Sequence, residues 1–150
     1  MTIRFFLVRH GRAEARHPQG DAARRLLPEG RAEFAAHARA LAHDLTLARI
    51  ATSPYVRAVE TAALLSDATG AAVEEDGALG SGESDGRGLL RHGRLLGDRS
   101  ALVGHNPEIG EAISLAAGRQ IEVPPGAIAA IDEDRGEFHV AWVRAPGAAS

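Results

Sequence analysis

The most reactive group of side chains stands near the start of the chain. The sequence Arg9-His10-Gly11-Arg12 follows directly on an apolar run, residues 3–8. A short buried strand that ends in this way delivers a cation, an imidazole and a glycine to the edge of a sheet, where α/β proteins usually bind their ligands. These residue types predict an anionic ligand.

Two more polar clusters follow predicted strands. Ser53-Pro54-Tyr55-Val56-Arg57 follows a strand over 49–52, and Gly104-His105-Asn106-Pro107 follows a strand over 100–103. If the three strands are parallel neighbours, their ends open at the same edge and bring His10, Arg57 and His105 together. A neutral imidazole can attack phosphorus while guanidinium groups hold the nonbridging oxygens, so this combination suits phosphoryl transfer without a metal ion.

The first half of the chain alternates strand and helix patterns. Phe34, Ala38, Leu41 and Leu45 recur at helical spacing, which predicts a helix from Pro28 to about 45. A second helix is predicted from 55 to about 68, with Ser53 as N-cap, Pro54 as first helical residue and Gly70 at its end. Its predicted inward positions are Val59, Ala62, Ala63 and Leu65.

The second half continues the alternation. Residues 74–88 are rich in Gly, Ser and acidic residues and predict a long loop. Helices are predicted over 89–96 and 108–117, and two strands over 127–131 and 137–143 with a turn at 134–136. The order β-α-β-α-loop-α-β-α-β-β predicts a three-layer α/β/α sandwich with a mostly parallel central sheet. A length of 150 residues suits a single domain, residues 1–150.

Composition excludes several classes of function. Twenty acidic and 17 basic residues give a formal net charge of -3, which offers no general attraction to nucleic acid or anionic membranes. The absence of Cys excludes disulfides, thiolate nucleophiles and cysteine-ligated metals. The N-terminal apolar run is short and contains Arg4, and no apolar segment approaches the ~18 residues of a membrane span. We therefore expect a cytoplasmic protein.

Three blocks of the chain resemble, in order, those of the histidine phosphatase superfamily, which has the phosphoglycerate-mutase-like fold. The blocks are Leu7-Val8-Arg9-His10-Gly11, Ser53-Pro54-x-x-Arg57-Ala58-x-x-Thr61-Ala62 and Val103-Gly104-His105-Asn106-Pro107. A fourth, Arg24-x-Leu26-x-Pro28-Glu29-Gly30-Arg31, looks like the segment that begins the first helix in the small SixA-type branch, whose members act as phosphohistidine phosphatases.

The resemblance implies a role for each matching residue. It implies that His10 is a nucleophile that becomes phosphorylated and is then hydrolysed, and that Arg9, Arg57 and His105 form the phosphate pocket. Gly11 would let the backbone approach closely, and neighbouring carbonyls would fix the imidazole tautomer. Asn106 would help to orient His105, and Arg24 would contact a phosphoprotein or a substrate oxygen. The resemblance implies no cofactor and no metal.

The chain departs from the family pattern at two places. Leu27 stands where the family usually has a Thr before the first helix, so Pro28 must start that helix without a side-chain cap. Larger members keep an acidic proton donor after the third strand, and here Glu83, Asp85 or no residue fills that role. A phosphoramidate needs less acid assistance than an ester because imidazole is a better leaving group, so a weak donor favours a phosphoramidate substrate.

The sequence therefore predicts a metal-independent phosphatase that works through a phosphohistidine on His10. We expect it to act on phosphohistidine in a protein partner. One alternative is a broad phosphomonoesterase for small metabolites, and another is a noncatalytic phosphate-binding module. Intact His10 and His105 favour an enzyme, because binding alone could use Arg in their place.

Overall fold

The computed structural model describes residues 1–147, in which strands and helices alternate along the chain. The elements are β1 (Thr2–Arg9), α1 (Pro28–Leu45), β2 (Arg49–Thr52), α2 (Val56–Thr69), β3 (Ala72–Glu75), α3 (Gly86–Leu96), β4 (Ser100–Gly104), α4 (Glu108–Ala117), β5 (Ile128–Asp134) and β6 (Glu137–Arg144). Two short 3-10 turns cover Asp21–Ala23 and Gly77–Leu79.

One sheet organises the molecule, with the strand order β3-β2-β4-β1-β5-β6. The pairs β3·β2, β2·β4 and β4·β1 are parallel, whereas β5 and β6 join as an antiparallel hairpin next to β1. Val103 is opposite Val8 on one side and Thr52 on the other. The carboxyl ends of β1, β2 and β4 therefore meet at one edge, and the predicted three-layer sandwich is confirmed.

The sheet is covered on both faces, which explains the uninterrupted apolar run in β1. Phe5 and Leu7 belong to the core cluster under α3 and α4, whereas Phe6 and Val8 belong to the cluster under α1 and α2. Successive side chains of a strand point to opposite faces, so a strand buried on both faces must be apolar throughout. Each of these buried side chains stabilises the fold by about 1.5–3 kcal/mol.

Most predicted elements are present, but α2 differs at its start. The helix begins at Val56 with Tyr55 as N-cap, and no side chain caps it. The prediction of Ser53 as N-cap and Pro54 as first helical residue is wrong, because the Ser53 hydroxyl accepts from the Tyr55 N–H and also contacts His105. Ala63 is exposed, and the predicted inward set is wrong there. The start of α1 agrees with the prediction, since Leu27 gives no side-chain cap and Pro28 is its first residue.

The predicted loop over 74–88 is the main correction to the element order. Strand β3 occupies Ala72–Glu75, and α3 begins at Gly86, with the Asp85 carboxylate accepting from the Gly88 N–H as N-cap. β3 escaped prediction because it is a largely exposed edge strand without apolar alternation. The start of α3 was not predicted because glycine has a low helix propensity. Gly86 instead allows close contact with α4, since a Cβ there would lie 2.7 Å from the Ala112 nitrogen.

Candidate active site

The three predicted side chains meet at the carboxyl edge of the sheet. His10 follows β1, Arg57 lies in the first turn of α2, and His105 follows β4. The Arg57 Nε lies 3.3 Å from His10 Nε2, and the two imidazole rings are 5.1 Å apart between centroids. The exposed fractions of the three residues are 8%, 4% and 2% for His10, Arg57 and His105. The predicted convergence is therefore present, in a buried setting.

His10 is held in one tautomer by its neighbours. Its Nδ1 lies 2.8 Å from the Gly11 carbonyl oxygen, so Nδ1–H donates to that carbonyl and Nε2 keeps a lone pair. Nε2 in turn accepts from Arg57 Nε. Burial lowers the pKa of His10 to about 3; the Gly11 hydrogen bond opposes this shift, and the nearby His105, Arg57 and Arg9 add to it. The ring is neutral at physiological pH and can act as a nucleophile.

Thr61 connects the loop after β1 to the start of α2. Its Oγ1 accepts from the Gly11 N–H at 3.1 Å and donates to the Arg57 carbonyl at 2.8 Å. A Cβ added at Gly11 would meet Leu26 at 3.4 Å, which is ordinary contact. Gly11 therefore acts through its backbone N–H and C=O groups more than through the space left by its missing side chain.

Arg9 and Asn106 are both attached to the segment before β5. Arg9 Nη1 donates to the Val123 carbonyl at 2.8 Å, and Asn106 Nδ2 donates to the same carbonyl at 3.2 Å. The Asn106 Oδ1 accepts from the Gly110 N–H inside α4. We expected Asn106 to orient His105, but these two hydrogen bonds contact Val123 and Gly110 and not the His105 ring. Burial lowers the pKa of Arg9.

His105 has one ring nitrogen bonded and one free among residues 1–147. Its Nε2 lies 2.8 Å from Ser53 Oγ, and its Nδ1 is buried without a hydrogen-bond partner in that part of the chain. The Tyr55 ring packs against the imidazole at 4.9 Å between centroids. Burial lowers the pKa of His105 to about 4, with Arg57 and Arg24 adding to the shift and Asp21 opposing it.

Asp21 is a site neighbour that sequence reasoning missed. Its carbonyl accepts from Arg57 Nη1 at 2.7 Å and its carboxylate accepts from Arg57 Nη2 at 3.2 Å. The same carboxylate accepts from Arg24 Nη1 at 2.9 Å, so Arg24 lies at the rim of the site through Asp21. Arg24 and then Arg57 hold the pKa of Asp21 below its usual value. A single Asp in a polar segment gives no sequence signal for this contact, whereas Ser53 and Thr61 lie inside a recognisable block.

The candidate proton donors lie apart from these hydrogen bonds. Glu83 is exposed, and within residues 1–147 its carboxylate makes no hydrogen bond. The Asp85 carboxylate is used as the cap of α3. Glu108, which sequence reasoning did not single out, is buried and accepts from the Gly82 N–H at 3.3 Å, so it holds the same loop.

The described residues offer neither a metal-binding cluster nor a membrane-spanning helix. Residues 1–147 contain no group of three His, Asp or Glu side chains arranged to hold a metal ion. In the same part of the chain, each helix is too short or too polar to cross a membrane.

Comparisons with solved structures find the same fold. The SixA protein histidine phosphatase in complex with tungstate superposes with a TM-score of 0.83 at 21% identity, over 96% of this chain and 97% of that one. A protein of Agrobacterium tumefaciens assigned as the phosphohistidine phosphatase SixA gives 0.83 and 21%, over 96% and 98%. A mycobacterial glucosyl-3-phosphoglycerate phosphatase gives 0.64 and 15%, over 94% and 98%. No curated protein matches the sequence.

The family comparison covers the part of the chain that holds most of the site. Residues 5–82 match the model of the histidine phosphatase superfamily (branch 1). This segment contains Arg9, His10 and Arg57, whereas His105, which follows β4, lies outside it. The chain is therefore an enzyme of branch 1 of the histidine phosphatase superfamily.

Proposed function

We propose that the protein is a metal-independent phosphatase in which His10 is the nucleophile. The observation that carries this proposal is the buried His10 ring, whose Nδ1 lies 2.8 Å from the Gly11 carbonyl oxygen and whose Nε2 lies 3.3 Å from the Nε of the buried Arg57 guanidinium. A phosphoryl group bound beside Nε2 would be attacked there while Arg9, Arg57 and His105 hold its nonbridging oxygens.

The reaction has two steps. In the first, the His10 Nε2 lone pair forms an N–P bond, and the bond to the leaving group breaks with its electrons going to the leaving group, which takes up a proton from solvent water. In the second, water attacks phosphorus, the N–P electrons return to Nε2, and inorganic phosphate leaves. The Gly11 carbonyl accepts from Nδ1–H throughout, which stabilises the positive charge that the ring gains when Nε2 is phosphorylated.

The substrate class that we propose is phosphohistidine in a protein partner. The exposed Glu83 and the capping Asp85 leave no acid in contact with His10 among residues 1–147, and an imidazole leaving group needs less acid than an alkoxide. The structural similarity to the tungstate-bound SixA histidine phosphatase extends over 96% of the chain and supports the same class.

A broad phosphomonoesterase is the second candidate. The groups around His10 recognise the phosphoryl group and not the rest of the substrate, and the mycobacterial phosphatase of a sugar-acid phosphate has the same fold. Arg24, at the rim beside Asp21, is the residue that we propose for contact with substrate beyond the phosphoryl group. A noncatalytic module is disfavoured because a neutral, tautomer-fixed His10 adds nothing to anion binding.

Turnover of two substrates distinguishes these candidates. We expect hydrolysis of a histidine-phosphorylated protein, with slower hydrolysis of an alkyl phosphate such as glycerol phosphate, because its alkoxide leaving group needs an acid. His10→Ala removes the nucleophile and lowers both rates by at least about a thousandfold. The matched control is His92→Ala. His92 lies on α3, pairs with Asp76 and makes no hydrogen bond to the residues of the site.

Each outcome assigns a function. Equal or faster ester turnover supports the phosphomonoesterase, and no turnover of either substrate supports the noncatalytic module. Glu83→Gln should leave the phosphohistidine rate unchanged, and a large loss would identify Glu83 as the proton donor. If His10→Ala kept half of the wild-type rate, the mechanism would be wrong.

A further inference from the structure

The hydroxyl of Ser53 lies buried between the ends of two strands. Ser53 as a whole is 0% exposed. Within residues 1–147, Ser53 Oγ has two partners: it accepts from the Tyr55 N–H at 3.1 Å and lies 2.8 Å from His105 Nε2. A hydroxyl has one hydrogen to donate, and the acceptor within its reach is that ring nitrogen. A buried donor that left this acceptor unused would lose a hydrogen bond, so Ser53 donates to His105.

This bond determines where the proton of His105 lies. When Nε2 accepts, the neutral ring carries its proton on Nδ1. Nδ1 is buried and has no partner in the described residues, and the other buried side-chain nitrogen in that condition is Arg9 Nε. Both orphaned groups belong to residues around His10. Two unpaired donors in one buried site are what a bound anion would satisfy.

We infer that Ser53 is a positioning residue that fixes His105 in the Nδ1–H tautomer, so that His105 donates a neutral hydrogen bond to the phosphoryl group. The opposite tautomer would direct the Nδ1 lone pair at the phosphoryl oxygens and repel them. The ring is buried, so water does little to screen its interaction with the phosphoryl group. The energy difference between the two tautomers is therefore large when negative charge develops on the phosphoryl oxygens during transfer. The step toward the phosphoryl group rests on the proposed function, whereas the tautomer follows from the hydrogen bonds alone.

The charges around His105 agree with a neutral donor. Burial and the neighbouring Arg57 and Arg24 disfavour an imidazolium there, and Asp21 opposes them only in part. A neutral imidazole carries its proton on one of its two nitrogens. The hydrogen bond from Ser53 to Nε2 fixes that proton on Nδ1.

Nitrogen NMR of the unliganded protein tests the inference directly. Long-range proton–nitrogen correlation of His105 at pH 7 should show a protonated Nδ1 and an unprotonated Nε2. In Ser53→Ala both tautomers should become populated, and kcat/KM should fall about 10- to 100-fold. The matched control is Ser100→Ala, which removes another buried hydroxyl, bonded to the Gly97 carbonyl at the opposite end of β4. It should leave the His105 signals and kcat/KM unchanged.

The spectrum and the assay fail independently. A proton on Nε2, or a charged ring, in the wild type would overturn the inference, as would an unchanged tautomer and rate in Ser53→Ala. If Ser53→Ala does not fold, the wild-type spectrum alone decides. Because the spectrum needs no substrate, a protein without phosphatase turnover can still show the Nδ1–H tautomer, so the two proposals are tested separately.

Discussion

The proposed mechanism requires His10 and His105 to be uncharged although Arg9 and Arg57 lie close to them. Burial achieves this for both rings, since it lowers the pKa of His10 to about 3 and that of His105 to about 4. Burial also lowers the pKa of Arg9, but the pKa of arginine starts so far above neutrality that this guanidinium stays charged. One physical effect therefore leaves a ring nitrogen with a lone pair next to cations, as the proposed mechanism requires.

The same burial makes stability depend on pH. In the unfolded chain both histidines take up protons near pH 6.5, whereas the folded protein resists protonation until its lower pKa values. The unfolded state binds more protons in between, so the free energy of unfolding is highest above pH 6.5 and falls as the pH drops toward 4. From pH 7 to pH 5 we expect a loss on the order of 2 kcal/mol from His10 alone.

Urea unfolding at several pH values measures this loss. His10→Gln should show a clearly smaller decrease between pH 7 and pH 5 than the wild type. The control is His139→Gln, which replaces an exposed residue of β6. Its free energy of unfolding should fall by as much as that of the wild type. An identical decrease in His10→Gln would show that the buried ring does not titrate as described.

At the scale of the element, the start of α1 supports the loop after β1, next to the proposed nucleophile His10. The Leu27 N–H donates to the Arg12 carbonyl at 2.9 Å. A Cβ at Gly30 would lie only 2.4 Å from that carbonyl oxygen. The missing side chain of Gly30 therefore allows α1 to lie directly on the backbone that follows Gly11, whose carbonyl accepts from His10.

Gly30→Ala should separate α1 from this loop. We expect a loss of about 1–3 kcal/mol in the free energy of unfolding, as for overpacked sites, together with a lower kcat/KM because the Gly11 carbonyl moves. Gly77→Ala is the matched control, since its Cβ would meet nothing within 4 Å. Urea unfolding and the phosphatase assay check both effects. Wild-type stability and activity in Gly30→Ala would contradict the close contact.

At the scale of the molecule, the site depends on the whole sheet. Its residues follow β1, β2 and β4, which are neighbours in space, and both core clusters pack on opposite faces of the same strands. We propose that residues 1–150 form one domain that unfolds in one cooperative transition. A ligand at the strand ends should then stabilise every part of it equally.

Tungstate, an analogue of phosphate, provides the measurement. At about 100 times its Kd it should raise the free energy of unfolding by about 2.7 kcal/mol. The increase should be the same whether unfolding is followed by circular dichroism or by the fluorescence of Trp142. Trp142 lies on β6 and packs against Phe6. Arg57→Gln should abolish the shift. Two separate transitions, or a shift in one probe alone, would contradict a single domain.

Local pattern was enough to predict most of the elements and the side chains that meet at the edge of the sheet. The apolar run of β1, the spacing of Phe34 and Ala38 in α1, and the three polar blocks each report what one segment buries or exposes. The convergence of His10 with His105 was predictable because parallel strands open at one edge. These features are encoded over a few consecutive residues, so the sequence by itself determined them.

The tertiary structure decided how distant segments contact one another. The exposed edge strand β3 has no apolar signature and forms by pairing with β2. The contact of Asp21 with Arg57 and the bond from Ser53 to His105 join residues 36 and 52 positions apart. Asn106 bonds to Val123 although its sequence neighbour is His105. Such partners are selected by packing and by the need of buried polar groups for hydrogen bonds, which no local pattern records.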